Sequence, residues 1–210
     1  AIYVDAEWDA SEDLLLAAAV RFEDFDGFGS TTNYKLGANY KLTENMGVRA
    51  TLSTGFKAPT SGQLNASNIS TLIDNGVLVN KGVIPASNPV AAFAGAVDLQ
   101  PEESKNFTVG LFGNLGEFDV TFDYFNIEVT DRLTLSKDFS LSAADIAALT
   151  ASGVSGANDI AVFRFFTNDF ETETSGFDLV VSTETEWLGG STSWNLAYNN
   201  TKTEVTSRGQ

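Results

Sequence analysis

The sequence predicts an all-β chain, an antiparallel transmembrane β-barrel segment of about eight strands with one short helix in a long extracellular loop. Three observations predict it. Apolar and polar residues alternate with a period of two through stretch after stretch, the pattern of strands whose two faces see different surroundings. The connections between these stretches are short and long by turns. Trp8, Trp187 and Trp194 fall on the apolar face beside short connections, whereas Phe22, Phe56, Phe107 and Phe177 fall on it at the other ends.

Taken in order, Ile2, Val4, Ala6 and Trp8 alternate with Tyr3, Asp5, Glu7 and Asp9, and a polar turn through Asp13 follows. Leu14, Leu16, Ala18, Val20 and Phe22 then oppose Leu15, Ala17, Ala19, Arg21 and Glu23, ending in an acidic stretch that contains Gly27. Tyr34, Leu36, Ala38, Tyr40 and Leu42 oppose Asn33, Lys35, Gly37, Asn39 and Lys41. Beyond the turn Thr43-Glu44-Asn45, Val48, Ala50, Leu52 and Phe56 oppose Arg49, Thr51, Ser53 and Lys57. Residues Ala58 to Lys105, rich in Ser, Asn, Gly and Ala, read as a long connection.

Asn106 to Arg132 then reads as two strands joined by a tight turn at Gly113-Asn114-Leu115-Gly116. Phe107, Val109 and Leu111 share the apolar face with Phe118, Val120, Phe122 and Tyr124; Asp119 and Asp123 lie on the other. After Tyr124 the phase inverts to Phe125, Ile127 and Val129, as at a bulge or in a strand that has risen above the membrane. In the second long connection, about Thr134 to Asp169, Ser142 is an N-cap with Asp145 three residues on and Gly153 a stop, so one helix is expected between them. Phe177, Leu179, Val181, Thr183, Thr185 and Trp187 form the next apolar set, and the turn Leu188-Gly189-Gly190-Ser191 leads to Trp194, Leu196 and Tyr198.

Short turns at one end and long loops at the other are the asymmetry of membrane barrels, and loops above about 15 residues are uncommon in compact domains. From Phe177 to Trp187 the strand rises about 33 Å at ~3.3 Å per residue. A tilt of about 40° projects this to about 25 Å, the height of the apolar band between two aromatic girdles. A soluble β-sandwich would fill its core with these aromatics, but a core does not sort Trp to one end. The longest apolar run, Leu14 to Val20, is far short of the roughly 18 residues of a spanning helix.

A formal charge of −16, from 28 acidic and 12 basic residues, argues against a nucleic-acid binder, which needs clustered Lys and Arg. With no Cys and no His, thiolate nucleophiles, disulfides, common zinc sites and imidazole acid–base chemistry are excluded.

Four segments carry a family resemblance: STGFKAPT (Ser53–Thr60), LQPEESKNFTVG (Leu99–Gly110), FDYFNIEVTDRL (Phe122–Leu133) and FRFFTNDFETETSGFDLV (Phe163–Val180). In that order, and preceded by AVRFEDFDGFGSTTNYKLG (Ala19–Gly37), they resemble landmarks of the barrel domain of TonB-dependent outer-membrane receptors over nearly the whole chain. The resemblance implies a barrel of roughly 22 strands plugged by an N-terminal domain. Its work is active import of a scarce nutrient such as a siderophore, cobalamin or glycan across the bacterial outer membrane. The implied partners are outer-membrane lipid, the plug domain of the same full-length protein, the TonB complex through an N-terminal part outside these residues, and a small-molecule substrate. No cofactor, catalytic residue or nucleic acid is implied. Residues 1–210 contain no plug domain, no energy-coupling box and too few strands, and Ala1 opens in mid-pattern, so a partial barrel domain is expected.

The alternative is a self-contained eight-stranded barrel binding a surface partner through its loops. Its narrow interior would have to hold Asp5, Glu7, Asp9, Asp119, Asp123, Asp178, Glu184 and Glu186 against few bases, at a desolvation penalty that a wide, wet lumen avoids. Candidate sites are few. Phe163, Arg164 and Phe165 could present aromatics and a cation to a substrate, or simply lead into the next strand. Glu23-Asp24-Phe25-Asp26-Gly27 could gather calcium, but it lacks EF-hand spacing and reads first as a solvated acidic loop. The carboxylates suggest no glycosidase pair without a pocket. Asn-x-Ser/Thr patterns at Asn65, Asn68, Asn106 and Asn199 are incidental in a bacterial setting.

Overall fold

The computed structural model describes residues 1–25, 29–74, 76–157 and 159–208. It divides into a sheet unit, Ala1–Phe56 with Glu103–Thr130 and Glu171–Ser207, and a loop unit, Lys57–Glu102 with Asp131–Phe170 and Arg208–Gln210. The strands are β1 (Ile2–Asp9), β2 (Leu14–Phe25), β3 (Gly29–Thr43), β4 (Met46–Lys57), β5 (Asn68–Asp74), β6 (Val77–Val83), β7 (Glu102–Leu115), β8 (Phe118–Leu135), β9 (Val162–Arg164), β10 (Phe166–Trp187) and β11 (Gly190–Arg208). Eight of them form one sheet in the order β1-β2-β3-β4-β7-β8-β10-β11. β1 and β11 are its edges, and among the described residues no pairing closes one onto the other.

Register converts the sequence alternation into rows. Ala6 pairs with Ala18, Ala18 with Leu36 and Leu36 with Leu52; Trp8 pairs with Leu16, Leu16 with Ala38 and Ala38 with Ala50. Because partners across antiparallel strands share a face, one face of the sheet is apolar from row to row. It is also exposed, with Val4 at 69%, Leu36 at 50% and Leu196 at 65%. Rings line both ends of this band. Phe122 and Tyr198 flank Phe177 at centroid distances of 5.6 and 5.9 Å. At the turn end Trp187 stacks on Trp194 at 5.8 Å, and Trp194 Nε1 donates to Thr185 Oγ1.

Two expected turns are tighter than the sequence suggested. β7 runs on through Gly113, Asn114 and Leu115, and only Gly116-Glu117 reverses the chain, with Gly116 at φ +71°. Gly113 serves a different purpose: a Cβ there would lie 2.4 Å from the Asn45 carbonyl oxygen of the turn between β3 and β4. The turn expected over Leu188 to Ser191 is the two-residue loop Leu188-Gly189, both at positive φ as a type I′ hairpin requires. The phase change after Tyr124 involves no bulge against β7, where pairing is unbroken from Glu103↔Thr130 to Leu115↔Phe118. The strand simply continues past the apolar band, where Lys105 faces Glu128 and Asn126 Nδ2 donates to Glu173 Oε1. On the other face Phe125 lies over Gly176, where a Cβ would meet its ring at 2.8 Å.

The long connections hold more structure than one helix. The expected helix is α3 (Ala143–Ala151), with the Ser142–Asp145 capping box in place and Gly153 at φ +86° just beyond it. Two more occur, α1 (Ser61–Leu64) and α2 (Pro89–Phe93), together with a three-stranded sheet in the order β5-β6-β9. Composition hid them. Ser, Asn and Gly suggest loops, yet Thr60 and Asn88 act as N-caps and Pro89 occupies the first helical turn. Of the acidic stretch considered for calcium, Asp26 and Gly27 lie outside the described residues.

Candidate functional site in the long connections

The loop unit has what the sheet unit lacks, a closed apolar core. Every buried hydrophobic residue described falls in it, with Ile84, Val90, Ala91, Leu149, Phe163 and Phe165 at the centre. β9 lies between two partners. It pairs in parallel with β6 (Lys81↔Val162, Gly82↔Phe163, Val83↔Arg164), and on its other side Phe139 and Phe163 exchange both backbone hydrogen bonds at 2.9 Å. Gly82 is needed there, since a Cβ would sit 2.2 Å from the Asn68 carbonyl oxygen of β5.

This arrangement separates the three residues singled out from the sequence. Phe163 is 0% exposed and Phe165 4%, and both stack on Phe139, so these rings build the core and present nothing to solvent. Arg164, one step out of phase, emerges on the opposite face. Its Nε bonds Asp138, and Lys81 Nζ reaches the other carboxylate oxygen at 2.5 Å. Hydrogen bonds from Lys81 and then Arg164 hold the Asp138 carboxyl below its ordinary pKa. Two cations on one carboxylate leave the cluster with a net positive charge, and each side chain stays between 36% and 41% exposed. Lys81 and Asp138 escaped the sequence reading because they lie far apart in the chain, in stretches without periodicity, and only the fold brings them together.

The stems of the two long connections are tied together. Glu102, 7% exposed, accepts from Lys57 Nζ at 3.4 Å and from the Leu133 amide at 3.1 Å. Asn168 spans the rest: its Oδ1 accepts from the Gln100 amide, and its Nδ2 donates to the carbonyls of Gln100 and Asp131. Asp131 turns away from strand geometry at φ +54°, and the Arg132 guanidinium lies 5.3 Å above the Phe170 ring. All four family-like segments contribute to this clasp. Charged and amide residues at strand ends, rather than the aromatic run, were the signal that would have located it.

Residues 1–210 match the family described as TonB dependent receptor-like, beta-barrel. The vitamin B12 transporter BtuB of Photobacterium profundum is 28% identical over 146 residues, 69% of this chain and 20% of that protein. BtuB of Vibrio vulnificus is 27% identical over 121 residues, 58% and 15% respectively. The chain therefore spans at most 20% of the length of these curated relatives. Among solved structures, the siderophore receptor PirA from Pseudomonas aeruginosa superposes with a TM-score of 0.63 at 17% identity, covering 97% of this chain and 34% of that one. The RagAB peptide transporter gives 0.64 at 14% identity, covering 98% and 22%. These structural likenesses establish the fold, and the full-length family match establishes the kinship. The chain belongs to the TonB-dependent receptor β-barrel family.

Proposed function

We infer that this chain is part of the wall and loops of an outer-membrane receptor that binds and actively imports a scarce small-molecule nutrient. The observation that carries the reading is the contrast between a sheet with an exposed apolar face and a loop unit with a closed core. Burying a large apolar side chain is worth about 1.5–3 kcal/mol, and lipid against the outer face recovers this for the whole band. The polar face meets water and the plug domain, and the TonB complex acts through parts of the protein outside these residues. The kinship with receptors and transporters supports a role in binding and import rather than catalysis. In the loop unit Arg164, with Lys81 and Asp138, is the group that meets substrate, while Phe163 and Phe165 support it from beneath. Closure into a self-contained small barrel demands that β1 pair with β11, and among the described residues the two are opposite edges of the sheet, which favours the larger barrel.

The vitamin B12, siderophore and peptide of the relatives' names define the classes to assay. Cells bearing the full-length protein should hold it in the outer membrane and accumulate a labelled member of one class, with accumulation abolished by an uncoupler or by deletion of its gene. Recovery of the protein in the soluble fraction would overturn the reading.

A further inference from the structure

We propose that the polar face of the sheet unit carries a carboxylate-binding hollow centred on Lys35, an inference that rests on reading that face as the border of an aqueous interior. Register places Tyr3, Arg21 and Asn33 side by side in one row and Asp5, Ala19, Lys35 and Ser53 in the next. Lys35 therefore stands diagonal to Arg21, within reach of one ligand, and its own row neighbours are only a methyl group and a hydroxymethyl group. The small neighbours leave space. Tyr3, Arg21, Asn33, Lys35 and Ser53 line a hollow of about 400 Å³.

The charges in the hollow are incompletely used. Arg21 Nη2 donates to Glu23 Oε1 at 2.6 Å, which engages one of its five N–H groups. Among the described residues Lys35 has no ion-pair partner; Asp5 shares its row, but Ala19 stands between them. Lys41 and Lys105 also have no ion pair, but of these Lys35 alone stands diagonal to Arg21 in the hollow. It is also part of a wider segregation. The polar faces of β3 and β4 carry Lys35, Lys41 and Arg49 and no carboxylate, whereas that of β1 carries Asp5, Glu7 and Asp9.

A carboxylate fits this donor set. It is planar, accepts charge-assisted bonds from guanidinium and ammonium together, and leaves the Tyr3 hydroxyl and Asn33 amide as neutral donors beside it. The group could belong to a small molecule in the interior or to an acidic side chain of the segment that fills it; the chemistry is the same.

The test uses the full-length receptor in detergent at low salt, titrated calorimetrically with citrate. Citrate binding is expected, weakened about tenfold or more by Lys35→Gln, largely restored by Lys35→Arg and tightened by Asp5→Asn. If citrate does not bind but Lys35→Gln opens an interior segment to trypsin that Lys35→Arg keeps closed, the carboxylate is the protein's own. If Lys35→Gln alters neither citrate affinity nor proteolysis, the proposal is overturned. Spin labels at Leu52 and Ser53 in the same receptor keep the two readings apart, because equal access of an aqueous reagent to both would instead remove the lipid-facing assignment.

Discussion

The sheet unit and the loop unit solve opposite solvent problems with the same amino acids. In the loop unit Phe163, Ile84 and Ala91 are at most 2% exposed, and partly buried apolar residues such as Phe139, Leu141 and Ile146 pack around them. In the sheet unit Ile2, Trp8, Leu36 and Leu196 are at least half exposed, and the polar residues lie on the other face. One unit makes its own apolar interior, and the other leaves its apolar face exposed, which is the face proposed above to meet the bilayer.

The comparison can be broken most severely from the loop side. Phe163→Ala removes a fully buried ring and should destabilise the loop unit by about 3–5 kcal/mol. In hydrogen exchange on the full-length receptor, amides of 81–84 and 162–165 would lose protection while those of β2 and β3 keep theirs. Equal loss in both units would mean that they do not hold themselves together by different means.

From the sheet side, Leu36→Arg places a charge in the middle of the apolar band. It should cost about 2–4 kcal/mol in a bilayer, read as a lowered urea midpoint in liposomes, whereas the same change at Ala17, beside Glu7 on the polar face, should cost far less. A smaller effect sharpens the account of how strands joined by long connections find their register. Asp123 reaches Arg49 across the intervening β7, with bonds of 2.8 and 2.5 Å, and passes directly over Gly110. A Cβ on Gly110 would meet the carboxylate oxygen at 2.0 Å, so Gly110→Ala must displace the pair. A loss of about 1–3 kcal/mol is expected, and Arg49→Met should make Gly110→Ala less harmful in a double-mutant cycle.

The smallest effect is that of acid. Asp138 has a folded pKa below the ordinary carboxylate value because Lys81 and Arg164 bond its charged form. Its contribution is therefore present above the unfolded pKa and is lost as pH falls through the lower folded one. The loop unit should loosen in that acidic window, seen as faster exchange at the Val83 and Phe139 amides, and Asp138→Asn should remove the dependence.

Most of the sheet was legible in the sequence because a half-solvated strand writes its period of two directly into the residues. The eight apolar sets, the capped helix at Ser142 and the two girdles all came from local pattern. The loop unit was not legible for the same reason in reverse. β5 and β6 lack alternation: Leu72 pairs with Val79 and Ile73 with Leu78, which puts apolar residues on both faces. Gly113 misled too, since it is explained by Asn45 and Met46 lying over it, a non-local fact. The run Val162 to Phe166 did not reveal that its rings are core, because whether an aromatic ring is buried or exposed depends on whether Phe139 arrives beside it.

The measurement that tests the central claim most directly is paired spin labelling of Leu52 and Ser53 in the full-length receptor reconstituted in liposomes. Neighbours on one strand point to opposite faces, so the label at 52 should favour lipid-dissolved oxygen and the label at 53 a water-soluble nickel chelate. Equal access of the chelate to both would contradict the lipid-facing sheet.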